Sequence, residues 1–375
     1  MRILHINCNY ILSSLHQCLI ERLNNEGVEN DVFVATYDKK RSIVNTKEYV
    51  KVEECFEKWD RICFDYKQSK ILKCIKNTYN INNFDCIHAY TLFTDGNSAM
   101  KLSQQFGIPF VVAVRNTDVN DFFAKRVFLR NRGIEIMRKA SYIFFLSESY
   151  KNQVFEKYIP SRYHEELLSK TCVVPNGIDD FWINNMPSYE HEDINTNNVI
   201  QLIYAGRIDK NKNIPTIQAA MNILRKKGIK TELEIVGRVE DGNEFKKICK
   251  DNYTNYIKAL PKEKLLREYR QSDIFVMPSF TESFGLVYAE AMSQGIPVLY
   301  SKGQGFDRQF EEGLVGYNVD SKSAKSVAEG IEKVICNYAT IKRNVVKCSH
   351  EFDWSKIAKV YCKIYNSLEC YTDGN

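Results

Sequence analysis

Absences narrow the reading first. None of the 12 cysteines is spaced Cys-x-x-Cys, and none of the six histidines sits in a His-Glu-x-x-His pair, so a structural or catalytic zinc site is not indicated. No Asp-x-Asp pair occurs, which removes the simplest carboxylate clamp for a metal ion. No segment reaches the roughly 18 apolar residues that span a bilayer. The opening stretch MRILHINCNY is too polar, and its apolar run too short, for a signal peptide. A strong charge bias is missing too: 52 Lys+Arg against 47 Asp+Glu give +5 and a pI near 8.4, which argues against nucleic acid as a partner. There is no short-period repeat and no low-complexity tract. The cysteines are scattered from Cys8 to Cys370, often inside apolar segments such as FDCIHAY, as expected of small buried thiols in a reducing cytosol. A soluble, cytoplasmic protein is expected.

What is present is an ordinary globular balance, 44% hydrophobic and 26% charged, over 375 residues, enough for two domains. The fold class is α/β. RILHI, DVFVATY, FDCIHAY, PFVVAV, YIFFLS and TCVVP read as strands, and helical patterns such as SLHQCLIERLNNEG lie between them. The strands are near-continuous apolar runs, so both sheet faces should be covered. INNMPSYEHEDINTNN, at 183–198, is polar and aperiodic and reads as a linker. A second alternation follows: VIQLIYAG, TELEIVG, DIFVMPS and PVLYS are strands with helices between and after them. The expected domains are 1–182 and 199–350. The tail WSKIAKVYCKIYNSLE, within about 354–370, reads as an amphipathic helix with Ile357, Val360, Tyr361 and Ile364 at helical spacing. Two open parallel sheets joined by a linker leave a cleft at the strands' carboxyl ends, where such folds bind ligands.

Two constellations fall just after strands. In YAGRIDKNKNIP, Gly206 permits a tight turn, Arg207 and Lys212 sit in the loop, and Pro215 suits a helix's first turn. Two cations beside a helix N-terminus suit a phosphate or diphosphate, though a solvated basic loop would read the same way. In ESFGLVYAE, Gly285 begins a helix, so Ser283, Phe284, Gly285 and Leu286 would present amides to an anion. Glu290 would lie inside that helix among small neighbours, where a carboxylate can accept from a vicinal diol such as a ribose. Glu282 would stand ahead of the helix and could accept from sugar hydroxyls. Either acid alone would pass for a surface residue.

Taken together, PNGID (175–179), AGRIDKNKN (205–213), PSFTESFGLVYAEAMSQGIPV (278–298) and EGLVGYNV (312–319) resemble the nucleotide-sugar-dependent retaining glycosyltransferases of family 4. The resemblance is specific over about 200–320 and looser in the first domain. It implies the GT-B fold, two Rossmann-like domains facing across a cleft with the C-terminal helix crossing back to the first, and an acceptor-binding first domain and donor-binding second domain. It also implies that Arg207 and Lys212 hold the donor diphosphate, that Glu282 lies near the donor sugar, and that Glu290 binds the ribose. Residues 283–286 would face sugar and phosphate, and Gly305 would belong to a loop near the nucleotide. The donor would be a UDP- or GDP-sugar, with no further cofactor and no metal.

Two departures stand out. Many members carry a double glycine after the first strand; here the loop is NCNYILSS, and Asn9 and Tyr10 become substrate-contact candidates. Many also carry a histidine after the strand that here ends in VVAVRNTDVNDFF, so Asn116 and Asp118 are acceptor-side or sugar-side candidates, with His88 a rival. No carboxylate stands out as a nucleophile, which favours a front-face retaining transfer in which the leaving phosphate helps deprotonate the acceptor. The implied acceptor is a glycan, lipid-linked, in cell-surface polysaccharide or glycoconjugate synthesis. FFAKRVFLRNRGIEIMRKA interleaves Lys125, Arg126, Arg130, Arg132, Arg138 and Lys139 with apolar residues, a pattern that can dock on an anionic membrane, here the inner face of the plasma membrane. The competing readings are a nucleotide-sugar epimerase or sugar phosphorylase on the same fold, or a non-catalytic nucleotide-sugar binding protein.

Overall fold

The computed structural model describes residues 1–41, 47–188 and 198–369. The chain divides into two compact units. The first comprises 1–146, 150–176 and the chain from Trp354 onward; the second comprises 147–149 and 177–353.

The first unit is built on seven parallel strands: β1 (Arg2–Ile6), β2 (Glu29–Thr36), β3 (Val50–Glu54), β4 (Cys86–Ala89), β5 (Phe110–Val114), β6 (Tyr142–Phe145) and β7 (Thr171–Val173). Their order is β3-β2-β1-β4-β5-β6-β7, so the winding reverses between β1 and β4. Successive side chains of a strand point to opposite faces. Leu4, Ile6, Ile87, Val112 and Ile143 therefore pack on one side, and Ile3, Cys86, Val111 and Phe144 on the other. The first side is covered by helices Phe64–Thr78, Thr94–Phe106 and Arg130–Lys139. The second is covered by helix Leu15–Asn25 and by helix Trp354–Glu369, which returns to this unit and buries Trp354, Ile357, Tyr361, Ile364 and Tyr365. Val360, expected on that buried stripe, is instead exposed. Helix Thr94–Phe106 ends on Gly107 at φ 76°, the left-handed geometry that glycine adopts without strain.

The second unit holds six parallel strands: β8 (Ile200–Ala205), β9 (Thr231–Gly237), β10 (Thr254–Lys258), β11 (Ile274–Met277), β12 (Val298–Ser301) and β13 (Gly316–Val319). Their order, β10-β9-β8-β11-β12-β13, reverses between β8 and β11. Each unit is thus a Rossmann-like layer with a switch point where ligands of open α/β sheets bind.

The boundary differs from the one expected. The first unit ends its middle segment at Asn176, ahead of 182. The polar run at 183–198 overlaps helix Asp180–Asn184, whose start is fixed by Asp179 accepting from the Phe181 amide at 2.9 Å. Residues 189–197 lie outside the described residues.

Candidate functional site

At the second switch point, two loops meet. The loop after β8 carries Arg207 and Lys212; the loop after β11 carries Glu282 and the residues up to Gly285. Asn211 ties them together. Its side chain donates to the Thr281 carbonyl at 2.8 Å and accepts from the Thr281 amide at 3.0 Å, while its own carbonyl accepts from the Phe280 amide at 2.8 Å. Asn213, at φ 57°, donates to the Pro278 carbonyl at 3.0 Å and to the Ser321 carbonyl at 2.6 Å. Asp209 caps the short turn Lys210–Lys212 by accepting from the Lys212 amide. These three residues position the site without being its reactive groups. The sequence offered no signal for them beyond turn-forming side chains in a loop.

The tie brings Lys212 and Glu282 together. Lys212 Nζ lies 2.5 Å from Glu282 Oε2, and both side chains are nearly buried. An ammonium has three donors, so the pair orients Lys212 while leaving donor capacity for another anion. Arg207 is exposed, and its guanidinium makes no hydrogen bond among the described residues. Its backbone is fixed, because the Tyr204 hydroxyl donates to the Arg207 carbonyl at 2.5 Å.

Helix Leu286–Ser293 opens at Gly285, φ 78°, where a Cβ would also lie 2.4 Å from the Tyr288 ring. The Ser283 amide donates to Glu282 Oε1 at 3.1 Å. The amides of Phe284 and Gly285 meet no acceptor among the described residues, and those of Leu286 and Val287 have no intrahelical partner, the Tyr288 amide closing the first turn on the Gly285 carbonyl at 2.9 Å. Phe284 contributes backbone only, since its ring is buried against Phe306 and Phe352. Gly305 packs beside this loop: its amide donates to the Glu282 carbonyl at 3.0 Å, and Gln304 Oε1 accepts from the Glu282 amide at 2.9 Å.

Glu290 lies one turn into the same helix. Burial pushes its carboxyl up to about 7; Lys262 pulls it down, Asp179 pushes it up, and a hydrogen bond with the Trp182 side chain pulls it down. Lys262 and Asp179 are themselves ion-paired. Arg207, Lys212, Glu282, Ser283, Phe284, Gly285, Leu286 and Gly305 therefore cluster on three joined loops, with Glu290 further along the helix they feed.

The first-unit candidates fare differently. Asn9 is exposed and lines a cavity of about 400 Å³ at the switch point between β1 and β4. Tyr10 does not join it: a single turn, Tyr10–Leu12, rotates its ring into the core, where it is 1% exposed. His88 is also corrected. It lies within β4, fully buried, with Nδ1 2.6 Å from the Tyr365 hydroxyl and its ring stacked on Tyr90 at 4.2 Å. Burial holds its pKa well below the ordinary histidine value. It packs between sheet and C-terminal helix, out of reach of substrate. Asp118 lines the cavity but is 1% exposed; its carboxylate accepts from the amides of Leu92 (3.0 Å), Phe93 (3.2 Å) and Arg115 (2.9 Å). It shapes the loop, and burial raises it to about 6. Asn116 accepts from Asn120 at 2.6 Å.

The basic segment is largely occupied by internal partners. Arg130 donates to the Phe123 carbonyl at 2.7 Å, Arg132 to Asn97 at 2.8 Å, and Arg138 to Glu166 at 2.9 Å. Among the described residues no helix is long and apolar enough to cross a membrane, and no group of three or more His, Cys, Asp or Glu could hold a metal ion.

Residues 190–347 match the family described as "Glycosyl transferases group 1". The chain is 30% identical over 177 residues to D-inositol 3-phosphate glycosyltransferase of Pseudarthrobacter chlorophenolicus, a match covering 44% of this chain and 42% of that protein. Among solved structures it resembles sucrose-phosphate synthase from Thermosynechococcus elongatus (TM-score 0.73, 18% identity, 99% of this chain and 100% of the other). It also resembles the Anabaena protein HepE in complex with UDP (TM-score 0.70, 16% identity, 98% and 100%). At these identities the likeness to solved structures is one of fold, the GT-B architecture.

Proposed function

We propose that this chain, which matches the group 1 glycosyl transferases over residues 190–347, moves a sugar with retention from a nucleoside diphosphate sugar to a glycan acceptor. One observation carries the reading: Lys212 and Glu282 are held 2.5 Å apart at the switch point of the second unit, beside unengaged Arg207 and the head of helix Leu286–Ser293. Lys212, Arg207 and the amides of 284–286 stabilise the charge that grows on the departing diphosphate, the Ser283 amide being held by Glu282 Oε1. Glu282 contacts the donor sugar, and Glu290 accepts from the ribose diol. The leaving phosphate takes the acceptor proton on the face it departs from, so no enzyme nucleophile is required. UDP is the first nucleotide to test, because HepE, a protein of the same fold, holds it.

The test reads ribose recognition through pH. Glu290 can accept two hydroxyl protons only when ionised. With its carboxyl near 7, affinity for a UDP- or GDP-sugar should fall about tenfold between pH 8 and pH 6, since the ionised fraction falls by that factor. The sugar nucleotide's own phosphates do not titrate there. Glu290→Gln should bind more weakly at pH 8 and show a flat profile. The same shift makes ionisation of Glu290 costly to the fold as pH rises from 4.5 to about 7, so Glu290→Gln should gain melting temperature relative to wild type at pH 8. If no UDP- or GDP-sugar raises the melting temperature of the wild-type chain at any pH, the donor-site reading falls.

The acceptor is proposed to be lipid-linked, which calls for a surface that meets a bilayer. That surface is not the helix Arg130–Lys139, whose arginines are engaged internally. Trp59, Ile62, Val127 and Phe128 are 59–84% exposed, and Ile62 and Phe128 line one shallow depression. Lys58, Arg61, Lys125 and Arg126 flank them in sequence, which suits anionic lipid. The chain should sediment with vesicles of phosphatidylcholine and phosphatidylglycerol at low salt. Each of the substitutions Trp59→Ser, Ile62→Ser and Phe128→Ser removes about 1.5–3 kcal/mol of burial, so the triple variant should remain in the supernatant. Absence of sedimentation at any ionic strength would remove the membrane role.

A further inference from the structure

The first unit's cavity has an imbalance of charge that the donor site does not explain. Four cations and two carboxylates line its wall. Asp121 is spent on Lys125, 2.5 Å away. The Asp118 oxygens are taken by three backbone amides. Arg61, Lys67 and Arg126 are left facing the cavity with no carboxylate bonded to them among the described residues.

Each of the three rests on an aromatic ring instead. Lys67 Nζ is 4.5 Å from the centre of the Phe56 ring, and the guanidinium carbons of Arg126 and Arg61 are 4.7 Å and 5.9 Å from the rings of Phe122 and Tyr37. A ring face holds a cation in place without neutralising it. Lys67 is partly buried, and burial lowers its pKa, although Cys8 on the wall and Asp95 behind it oppose that. A half-desolvated ammonium with no anion bonded to it is a cost that a bound anion would offset. Asp118–Phe123, which carries part of the wall, is a π-helical turn, a geometry concentrated at functional sites. Hydroxyl and amide groups of Thr94, Thr117 and Asn9 lie on the same wall. A volume of about 400 Å³ suits one sugar with a phosphate group.

We infer that this cavity is an acceptor site for a phosphate- or diphosphate-bearing sugar, its anion on Arg61, Lys67 and Arg126 and its hydroxyls on Asn9, Thr94 and Thr117. This deepens the proposed function and rests on it for the word acceptor; the anion site itself stands on the cavity alone. The phosphate could belong to a free sugar phosphate or to a polyprenyl-linked one.

Calorimetric titration of the full chain separates these outcomes. The soluble probes are N-acetylglucosamine 1-phosphate and unphosphorylated N-acetylglucosamine, each with and without saturating UDP. The lipid probe is a polyprenyl phosphate in phosphatidylcholine vesicles, read by sedimentation against the same vesicles without it. The phosphorylated probe should bind in the presence of UDP, and the plain sugar at least tenfold more weakly. Arg61→Gln/Arg126→Gln and, separately, Lys67→Met should each weaken it by about tenfold or more, the scale of a lost charge-assisted hydrogen bond, with UDP affinity unchanged. Selective binding of the soluble phosphate assigns a free sugar phosphate; binding of the lipid phosphate alone assigns a lipid-linked one. If neither phosphate binds, if plain and phosphorylated sugars bind equally, or if the variants bind like wild type, the inference is overturned. UDP affinity, measured in parallel, reports separately on the donor site.

Discussion

Lys212→Met is expected to lower turnover by about 10²–10³-fold, the usual effect of removing one preorganised donor from a developing anion. The expectation comes from geometry. Lys212 is nearly buried, its ammonium is fixed by Glu282 at 2.5 Å, and the loop that carries it is tied to the neighbouring loop through Asn211 and Asn213. A cation held this way needs no reorganisation when charge appears on the leaving group. The same pairing complicates the variant, because loss of Lys212 strands a carboxylate in a nearly dry setting, which can cost stability. Glu282→Gln and the double variant Lys212→Met/Glu282→Gln resolve this. The double variant should recover the melting temperature lost in the single one while staying as inactive. Glu282→Gln alone should lower turnover more than nucleotide affinity. If Lys212→Met keeps turnover within threefold of wild type, Lys212 serves only to neutralise Glu282, and the assigned role in holding the diphosphate fails. Arg207→Met, exposed and unpaired, should cost turnover without any stability penalty, so it provides the cleaner measure of the same electrostatic effect.

Much of this arrangement was legible because both units spell their central strands as apolar runs. Leu4 to Ile6, Phe110 to Val114 and Ile274 to Met277 are buried on both sides, and no surface residue interrupts them. The strands that escaped are β3, β10 and β13. All three are sheet edges, and VKVEE, TNYIK and GYNV mix polar and apolar residues because part of each strand is open to solvent. The second-unit candidates could be placed near one another because motif spacing fixes them relative to strand ends, and the structure puts them on three joined loops.

The first-unit candidates were harder, since strand ends are uncertain by a residue or two and each step turns a side chain to the other face. His88 pairs with His5 inside the sheet and faces the C-terminal helix, a facing that the strand's apolar run does not specify. The charged wall of the first-unit cavity was beyond sequence reasoning for a different reason. Arg61 and Lys67 are distant in sequence from Arg126, and only the parallel topology brings their segments to one switch point.

Gly305→Ala is expected to damage the candidate site severely although it adds a single methyl group. A Cβ at 305 would lie 1.9 Å from the Ser283 oxygen, 2.4 Å from the Ser283 carbonyl carbon and 2.8 Å from the Phe284 nitrogen. All three are backbone atoms, so no rotamer change relieves the contact. The two loops must separate by more than an ångström to reach van der Waals distance. That movement breaks the hydrogen bond that the Gly305 amide donates to the Glu282 carbonyl, and it displaces Glu282 together with the neighbouring amides of 284–286. Misplacement on that scale costs on the order of 10²-fold in rate even without loss of a reactive group. The strain should also lower stability by about 1–3 kcal/mol, as overpacking does. Gly303→Ala is the matched control. Gly303 has φ 75° and open space where its Cβ would stand, so its replacement carries a conformational cost without pushing the loops apart. It should lose some melting temperature and keep donor affinity. Equal kinetic damage from the two variants would mean that backbone conformation in the 303–305 segment, rather than its close approach to Ser283, sets the geometry of the site.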